Sequence, residues 1–205
     1  MPSIIGRRDG KYAWSRFIGI ESLIISFFVK GAGEDLKVFL IGIDVGTSST
    51  KAMVVSPEGR TVCIAQERYG IVSRRANWSE QDPEIWWQAV KTALRHAIAK
   101  TRQQFAGDRI EFAAIGLSGQ MHGLVLLDAH GCVLRPSIIW ADQRTAQDAA
   151  AFYQAAGRDR IAGITANAVV PGFLGPSLLR VKRRSRTFIS RSGPCFFQKT
   201  ISGFG

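Results

Sequence analysis

Two short turns of the sequence carry most of the side chains that could do chemistry. The first, DVGTSS, runs from Asp44 to Ser49 and follows an apolar, β-branched stretch. A turn that combines a glycine with several hydroxyls can offer hydrogen-bond donors to phosphate oxygens, and a carboxylate at the end of a strand can hold Mg²⁺ through water. Because an isolated DxGTS is more often an ordinary polar hairpin, the elements around this turn must decide between the two interpretations.

The second turn, SGQMHG, runs from Ser118 to Gly123. Glycines on both sides allow the backbone to turn sharply and allow a ligand to approach closely. Gln120 and His122 supply donors and acceptors of the kind that bind sugar hydroxyls, and Met121 supplies a soft apolar wall. A lone histidine is more often a satisfied structural residue, but the flanking glycines favour a binding role here.

A third segment, RPSIIWADQR, runs from Arg135 to Arg144. An aromatic residue followed by an aspartate and an arginine at the end of a strand could stack on a sugar and bond its hydroxyls. Alternatively, Asp142 caps the helix that follows and pairs with Arg144. The sequence leaves these two interpretations open.

The elements predicted to position these turns are a three-stranded meander, a helix, two more strands and a second helix. Alternating and β-branched apolar runs separated by turn residues predict the strands. The first helix begins at Asp82-Pro83-Glu84, with an aspartate as N-cap and proline at the first helical position, and its apolar residues recur at helical spacing to near Phe105. The predicted strands are Val38–Val45, Thr50–Ser56, Thr61–Tyr69, Phe112–Leu117 and Gly123–Leu127, and the second helix is Thr145–Ala156.

This βββαβ order indicates an α/β fold with a mixed sheet. It resembles the ribonuclease-H-like amino-terminal domain of the actin and sugar-kinase superfamily. A doubly wound sheet would alternate strand and helix from its start. The polar stretch Ser73–Gln81 is predicted to be irregular.

The net charge of +11 suggests a nucleic-acid partner only until its position is considered. Residues 38–179 carry a charge of +2, whereas 180–205 carry +7 with no acidic residue. A basic binder is therefore not expected. Phe17–Val29 is too short for a membrane span, and three cysteines without CxxC spacing indicate reduced thiols in a cytoplasmic protein.

Three segments in order, IGIDVGTSSTKAMVV, SGQMHGLVLLD and VLRPSIIWADQRT, resemble the amino-terminal domain of the FGGY carbohydrate kinases. The resemblance covers about Phe39 to Leu179, and the QMHG turn is similar to that of xylulokinases rather than glycerol kinases or ribulokinases. It implies transfer of the γ-phosphoryl group of ATP to the 5-hydroxyl of D-xylulose, with Mg²⁺ and an aspartate base. Other FGGY kinases, or a non-catalytic sugar-binding domain derived from one, are the alternatives.

The resemblance also assigns roles to residues. Asp44 would organise Mg²⁺, through water, and the ATP phosphates, which would be contacted by Gly46, Thr47, Ser48 and Ser49. Met121 and His122 would contact the sugar, and the side chains of Gln120 and Asp142 are further candidate sugar ligands. The resemblance also implies that the full-length protein could form a homodimer.

Both ends of the sequence depart from the family. Residues 1–37 are expected to be a non-family extension with a misassigned start codon, because a GTG start at Val38 would remove them. Residues 180–205 are expected to follow a frameshift near Arg180–Arg184. One back-translation of Ser192–Phe204, read from the third nucleotide, encodes RTVLLPKDYIRF, which is similar to the next family segment. Since the family's base aspartate and second domain lie further on, an inactive, incomplete fragment is expected.

Overall fold

The computed structural model describes residues 3–8, 11–14, 36–184 and 192–197, the first two ranges and the last by their backbone. Phe17–Val29 and most of the basic tail lie outside the described residues. Two compact units are present: a first unit of residues 1–69 and 86–119, and a second unit of 70–85 and 120–205. The elements are β1 Ser3–Arg8, β2 Lys11–Trp14, β3 Leu36–Val45, β4 Ser49–Val55, β5 Thr61–Arg68, β6 Glu80–Gln81, α1 Pro83–Gln104, β7 Arg109–Gly119, β8 Leu124–Asp128, β9 Ser137–Ile138, α2 Ala146–Ala156, α3 Arg158–Thr165, α4 Leu174–Arg184 and β10 Ser192–Phe197.

The first unit is built on a six-stranded mixed sheet in the order β2-β1-β7-β3-β4-β5. Strands β3, β4 and β5 form the antiparallel meander that the sequence predicts. The long central strand β3 also pairs in parallel with β7 over its whole length, from Leu36 opposite Arg109 to Val45 opposite Gly119. Because the carboxyl ends of parallel strands lie at the same edge of a sheet, Asp44 and Ser118 are register partners at that edge.

Helix α1 confirms the predicted helix and its start. The Asp82 carboxylate accepts the Glu84 amide at 3.0 Å, as expected of an N-cap. One face of the helix is buried with the sheet, and two fully buried alanines, Ala93 and Ala97, lie on it. The Ala97 carbonyl accepts the Cys63 thiol of β5 at 3.3 Å, so small side chains let the helix lie close to the strands.

The observed architecture confirms the α/β fold class and the mixed βββαβ sheet. The backbone strands β1 and β2 lie within residues 1–37. Strand β1 pairs antiparallel with β7, and β2 forms the edge of the sheet. The fifth predicted strand is found as β8, but it does not pair with the larger sheet. It lies in a separate four-stranded sheet of the second unit, in the order β10-β8-β9-β6.

The core of the second unit explains why β8 belongs to the smaller sheet. Leu124 and Leu126 of β8 pack with Ile138 and Val181 in one buried cluster, and apolar residues of α4 complete it. Alternating apolar residues predict that β8 is a strand, but only packing decides which sheet it joins.

Helix α4 corrects a boundary at the basic tail. The resemblance to the family ends at Leu179, whereas the helix continues to Arg184. Val181 explains the extension, because it is buried in the core while the basic residues around it extend to the surface. No helix among the described residues is long and apolar enough to cross a membrane.

Candidate functional site

The turn from Asp44 to Ser49, here called the hydroxyl turn, joins β3 to β4 in the first unit. It is closed by a hydrogen bond from the Gly46 amide to the Ser49 carbonyl at 3.0 Å. A Cβ at position 46 would lie 3.2 Å from that carbonyl, so a side chain would press on the closing bond. Asp44 and Ser48 are exposed. The turn therefore presents a carboxylate and hydroxyls from a backbone that is already organised.

Tyr69 braces the hydroxyl turn from behind. Its phenol donates to the Gly46 carbonyl at 2.7 Å and lies 3.2 Å from the Thr50 hydroxyl, while its amide donates to the Ser48 carbonyl at 3.1 Å. Burial raises the pKa of Tyr69, and the charge of Asp44 adds to the increase. The phenol therefore stays a neutral donor throughout the physiological pH range.

A tight contact between strands brings a further hydroxyl beside Asp44. A Cβ on Gly119 would lie 3.0 Å from the Val45 carbonyl, so the two strand ends approach closely because residue 119 is glycine. Its neighbour Ser118 is exposed and is the register partner of Asp44. Ser118 belongs to the SGQMHG motif, but the sequence assigns it no role. Its pairing with Asp44, 74 positions earlier in the chain, cannot be predicted from the spacing of residues within the motif.

The hydroxyl turn fits a phosphate with its cation better than a cation alone. No group of three His, Cys, Asp or Glu side chains that could hold a metal ion occurs among the described residues. Mg²⁺ at a nucleotide site commonly keeps several waters and uses only one or two carboxylates together with phosphate oxygens. One exposed carboxylate beside hydroxyl donors matches that pattern. Ser49 accepts the Gln66 amide at 2.8 Å, so its own hydroxyl proton can point to a ligand.

The residues from Gln120 to Gly123, here called the histidine turn, belong to the second unit. Gln120 is buried and donates to the Gln81 side chain at 3.1 Å, whereas 63% of Met121 is exposed. His122 has a φ of 64°, which lies in the left-handed region that residues other than glycine seldom adopt. The turn thus places an anchored amide, an apolar surface and an imidazole next to one another.

The imidazole of His122 is stacked on the ring of Phe173. The two ring centroids lie 3.6 Å apart with an angle of 10° between their planes. Such a stack covers one π face of the imidazole and leaves both ring nitrogens at its edge. Neutral imidazole then offers one donor and one acceptor to a ligand.

Phe173 is held by the backbone of its neighbour Gly172. With a φ of 79°, this glycine approaches the turn after β9 so closely that a Cβ would lie 2.2 Å from the Trp140 carbonyl oxygen. Its amide donates to the Thr145 hydroxyl at 2.9 Å. On the other side, the Ser177 amide donates to the Phe173 carbonyl at 3.1 Å, at the start of α4.

We expect His122 to titrate below its ordinary pKa. Burial lowers this pKa from 6.5, because the charged imidazolium loses hydration. The unfolded chain regains the ordinary value, so as the pH falls below 6.5 protonation favours the unfolded state and the free energy of unfolding decreases. Above pH 6.5 both states are neutral and the effect disappears. A titration of the imidazole resonances by NMR checks this, and a midpoint above 6.5 would contradict it.

Asp142 lies in a buried ionic network rather than at a surface. Its carboxylate is fully buried and accepts the Ser79 amide at 2.6 Å and the Arg144 amide at 2.9 Å. The Arg144 guanidinium pairs with it at 2.7 Å. The pairing alternative is therefore observed, but the cap is not, because the N-cap of α2 is Thr145 and no side chain caps it. Sugar binding by Asp142 stays a prediction, and its contacts favour a positioning role.

Glu80 is the residue of this network that the sequence did not reveal. Its side chain is almost completely buried, and it pairs with Arg144 at 2.8 Å and with Arg135. Arg144 also stacks over Trp78 at 3.6 Å from the ring centroid. Burial lowers the pKa of Arg135 although the charge of Glu80 opposes the change. The stretch expected to be irregular thus contains a buried acid in β6. The Glu80 network is Glu80, Arg135, Asp142 and Arg144.

Both turns lie in a segment that matches a known protein family. Residues 39–197 match the N-terminal domain of the FGGY family of carbohydrate kinases. The xylulose kinase of Escherichia coli (strain K12) is 40% identical over 143 residues, which are 70% of this chain and 28% of that protein.

Solved structures give the same picture. A crystal structure of a xyloylose kinase from Brucella ovis aligns with a TM-score of 0.71 and 35% identity, over 78% of this chain and 32% of that one. A gluconate kinase from Lactobacillus acidophilus aligns with a TM-score of 0.61 and 27% identity, over 78% and 31%. The chain thus spans less than a third of the length of each of these three proteins.

Proposed function

The chain belongs to the FGGY family of carbohydrate kinases, and we propose that it supplies the sugar-binding and phosphate-binding turns of a xylulose kinase. The observation that carries this proposal is the exposed Met121 beside an imidazole held in place at His122, in a chain 40% identical to a xylulose kinase over 143 residues. Phosphoryl transfer itself is proposed only for a protein of the relatives' full length, of which this chain spans less than a third.

On the phosphate side, the hydroxyl turn binds and orients. The hydroxyls of Thr47, Ser48 and Ser49 would donate hydrogen bonds to phosphate oxygens, and Gly46, which has no side chain, would let a phosphate approach the backbone. Asp44, at the end of β3, would hold Mg²⁺ through water. ATP with Mg²⁺ supplies the transferable phosphoryl group and the charge neutralisation that the reaction needs.

On the sugar side, the histidine turn recognises hydroxyl groups. Neutral His122 donates one hydrogen bond and accepts another, which matches hydroxyls that can do both. Met121 covers apolar carbon–hydrogen surface of the sugar, and buried Gln120 keeps the backbone of the turn in place through Gln81. Asp142 contributes through the network that fixes the neighbouring backbone.

Another FGGY kinase is the second candidate, because the fold is shared with a protein named for gluconate. A non-catalytic sugar-binding domain is the third. It predicts the same sugar affinity but no role for the hydroxyl turn, so binding of Mg²⁺-ATP with a loss on Asp44→Asn separates it from a kinase.

Isothermal titration of the 205-residue chain with D-xylulose tests the proposal. We expect saturable binding that His122→Ala weakens by at least tenfold, since the variant removes hydrogen bonds made within a half-buried turn, each worth about 1 kcal/mol or more. The matched control is His130→Ala. His130 is exposed in the turn after β8, and its contact to Asp128 uses the backbone amide, which alanine keeps.

Two results would contradict the proposal. Tighter binding of gluconate than of D-xylulose would favour the second candidate. Equal losses in His122→Ala and His130→Ala would show that the histidine turn does not hold the sugar.

Further predictions from the sequence stay predictions. They are the non-family extension at residues 1–37, a frameshift near Arg180–Arg184, an inactive fragment, no nucleic-acid partner, a cytoplasmic location and a homodimer. The family match reaches residue 197, so it includes part of the segment assigned to the shifted frame. Coding DNA that cannot encode RTVLLPKDYIRF when read from the third nucleotide of the Ser192 codon would end the frameshift hypothesis.

A further inference from the structure

The backbone of the histidine turn needs external support. His122 adopts a positive φ without being glycine, and such a conformation persists only where the surroundings determine it. In a short turn between strands, an imidazole on such a backbone would otherwise sample several rotamers. A ligand would then lose affinity because it would have to select one of them.

Phe173 supplies a flat surface at the required place. Its ring lies parallel to the imidazole within 10° at a centroid distance of 3.6 Å, which is full contact across the two rings. The phenyl group cannot hydrogen-bond, so it fixes the plane of the imidazole without using either ring nitrogen. Both nitrogens stay at the edge of the stack, where a ligand can reach them.

The position of Phe173 is itself fixed from two directions. Gly172 packs its backbone against Trp140 and bonds to Thr145, and α4 begins immediately after the phenylalanine. Ordinary packing alone would require only an apolar side chain here. The rigid backbone and the parallel geometry favour a specific role for a planar ring.

We propose that Phe173 is a positioning residue, whose ring sets the plane of the His122 imidazole for hydrogen bonding to the sugar. The inference rests on the proposed sugar-binding function of His122. It assigns no contact between Phe173 and the sugar. The ring acts only through the imidazole.

The test compares Phe173→Leu, Phe173→Tyr and Val181→Ala in the 205-residue chain. Leucine keeps apolar bulk without a flat ring, and tyrosine keeps the ring. Val181→Ala removes volume from the leucine core of the second unit and leaves the stack in place. Each variant is examined by NMR of the imidazole protons and by titration with D-xylulose.

We expect Phe173→Leu to shift the imidazole protons downfield, because the ring current is lost, and to raise the Kd for D-xylulose about two- to tenfold, the range that corresponds to one aromatic stack. Phe173→Tyr should restore both readouts. Val181→Ala should lower the melting temperature without changing either.

An imidazole spectrum that is unchanged in Phe173→Leu overturns the inference whether or not the sugar binds. A shifted spectrum with an unchanged Kd overturns it too, since the plane of the imidazole would then not matter to the ligand. If the wild-type chain shows no sugar binding, the proposed function fails and the inference fails with it, and the spectra then show whether the stack itself exists.

Discussion

Gly172→Ala is expected to lower the free energy of unfolding of the second unit by about 3 kcal/mol or more. A positive φ costs an alanine about 1–2 kcal/mol, and overpacking adds roughly 1–3 kcal/mol. Both apply, because φ is 79° and the new Cβ would lie 2.2 Å from the Trp140 carbonyl. This neighbour is backbone, which cannot move aside as a flexible side chain can. Chemical denaturation followed by circular dichroism measures the loss.

Gly131→Ala is the matched control. Gly131 belongs to the same unit and has a φ of 82°, but no atom lies within 4 Å of its added Cβ. The control should therefore show only the backbone cost of about 1–2 kcal/mol. Equal losses in the two variants would mean that the turn relaxes and that close packing on Trp140 does not hold it. The imidazole resonances of His122 should shift only in Gly172→Ala.

Glu80→Gln is expected to be the second strongly destabilising change. Removing one partner of a buried ion pair typically costs about 3–5 kcal/mol, because the other charge stays buried without compensation. Here the Arg135 guanidinium loses its carboxylate partner, and Arg144, which is only 3% exposed, keeps only that of Asp142. The size of glutamine matches that of glutamate, so the loss reports charge rather than volume.

Asp148→Asn is the natural comparison, because Asp148 also faces two arginines. Its distances to Arg180 and Arg183 are 3.4 and 3.5 Å, and the Arg183 side chain is 56% exposed. Asp148 itself is buried, but its contacts are longer and the Arg183 side chain is screened by solvent, so we expect a smaller loss than for Glu80→Gln. Urea midpoints of the two variants measure the difference. A loss for Glu80→Gln no larger than that for Asp148→Asn would show that water reaches the Glu80 network.

Local patterns in the sequence predicted the three-stranded meander, helix α1 and strand β7 of the first unit, but not β1 and β2. Helix α1 has both a helical apolar period and the Asp82 cap, and these are short-range signals that the structure reproduces. The hydroxyl turn follows β3, whose β-branched apolar residues favour a strand over a helix. The same patterns could not predict that β8 pairs outside the larger sheet, because a strand's period identifies its faces and not its neighbours.

The buried charges and the stack were beyond the reach of local patterns. Glu80 and Arg144 lie 64 positions apart. A charged residue in a polar stretch is normally expected to be exposed to solvent. Phe173 follows a glycine in a stretch that indicates a turn, so its contact with His122, which lies far earlier in the chain, leaves no periodic trace. In this fold, the sequence signals the groups that could touch a ligand more clearly than the groups that hold them.

The left-handed backbone at His122 limits how this turn can evolve. Asparagine, aspartate and histidine adopt a positive φ more readily than most residues, and glycine adopts it most easily. A saturation library at position 122, selected only for folding, should therefore be enriched in these four residues. Three of them carry hydrogen-bonding side chains. Geometry alone thus restricts the position to a small alphabet that is already polar, before any selection for a substrate begins.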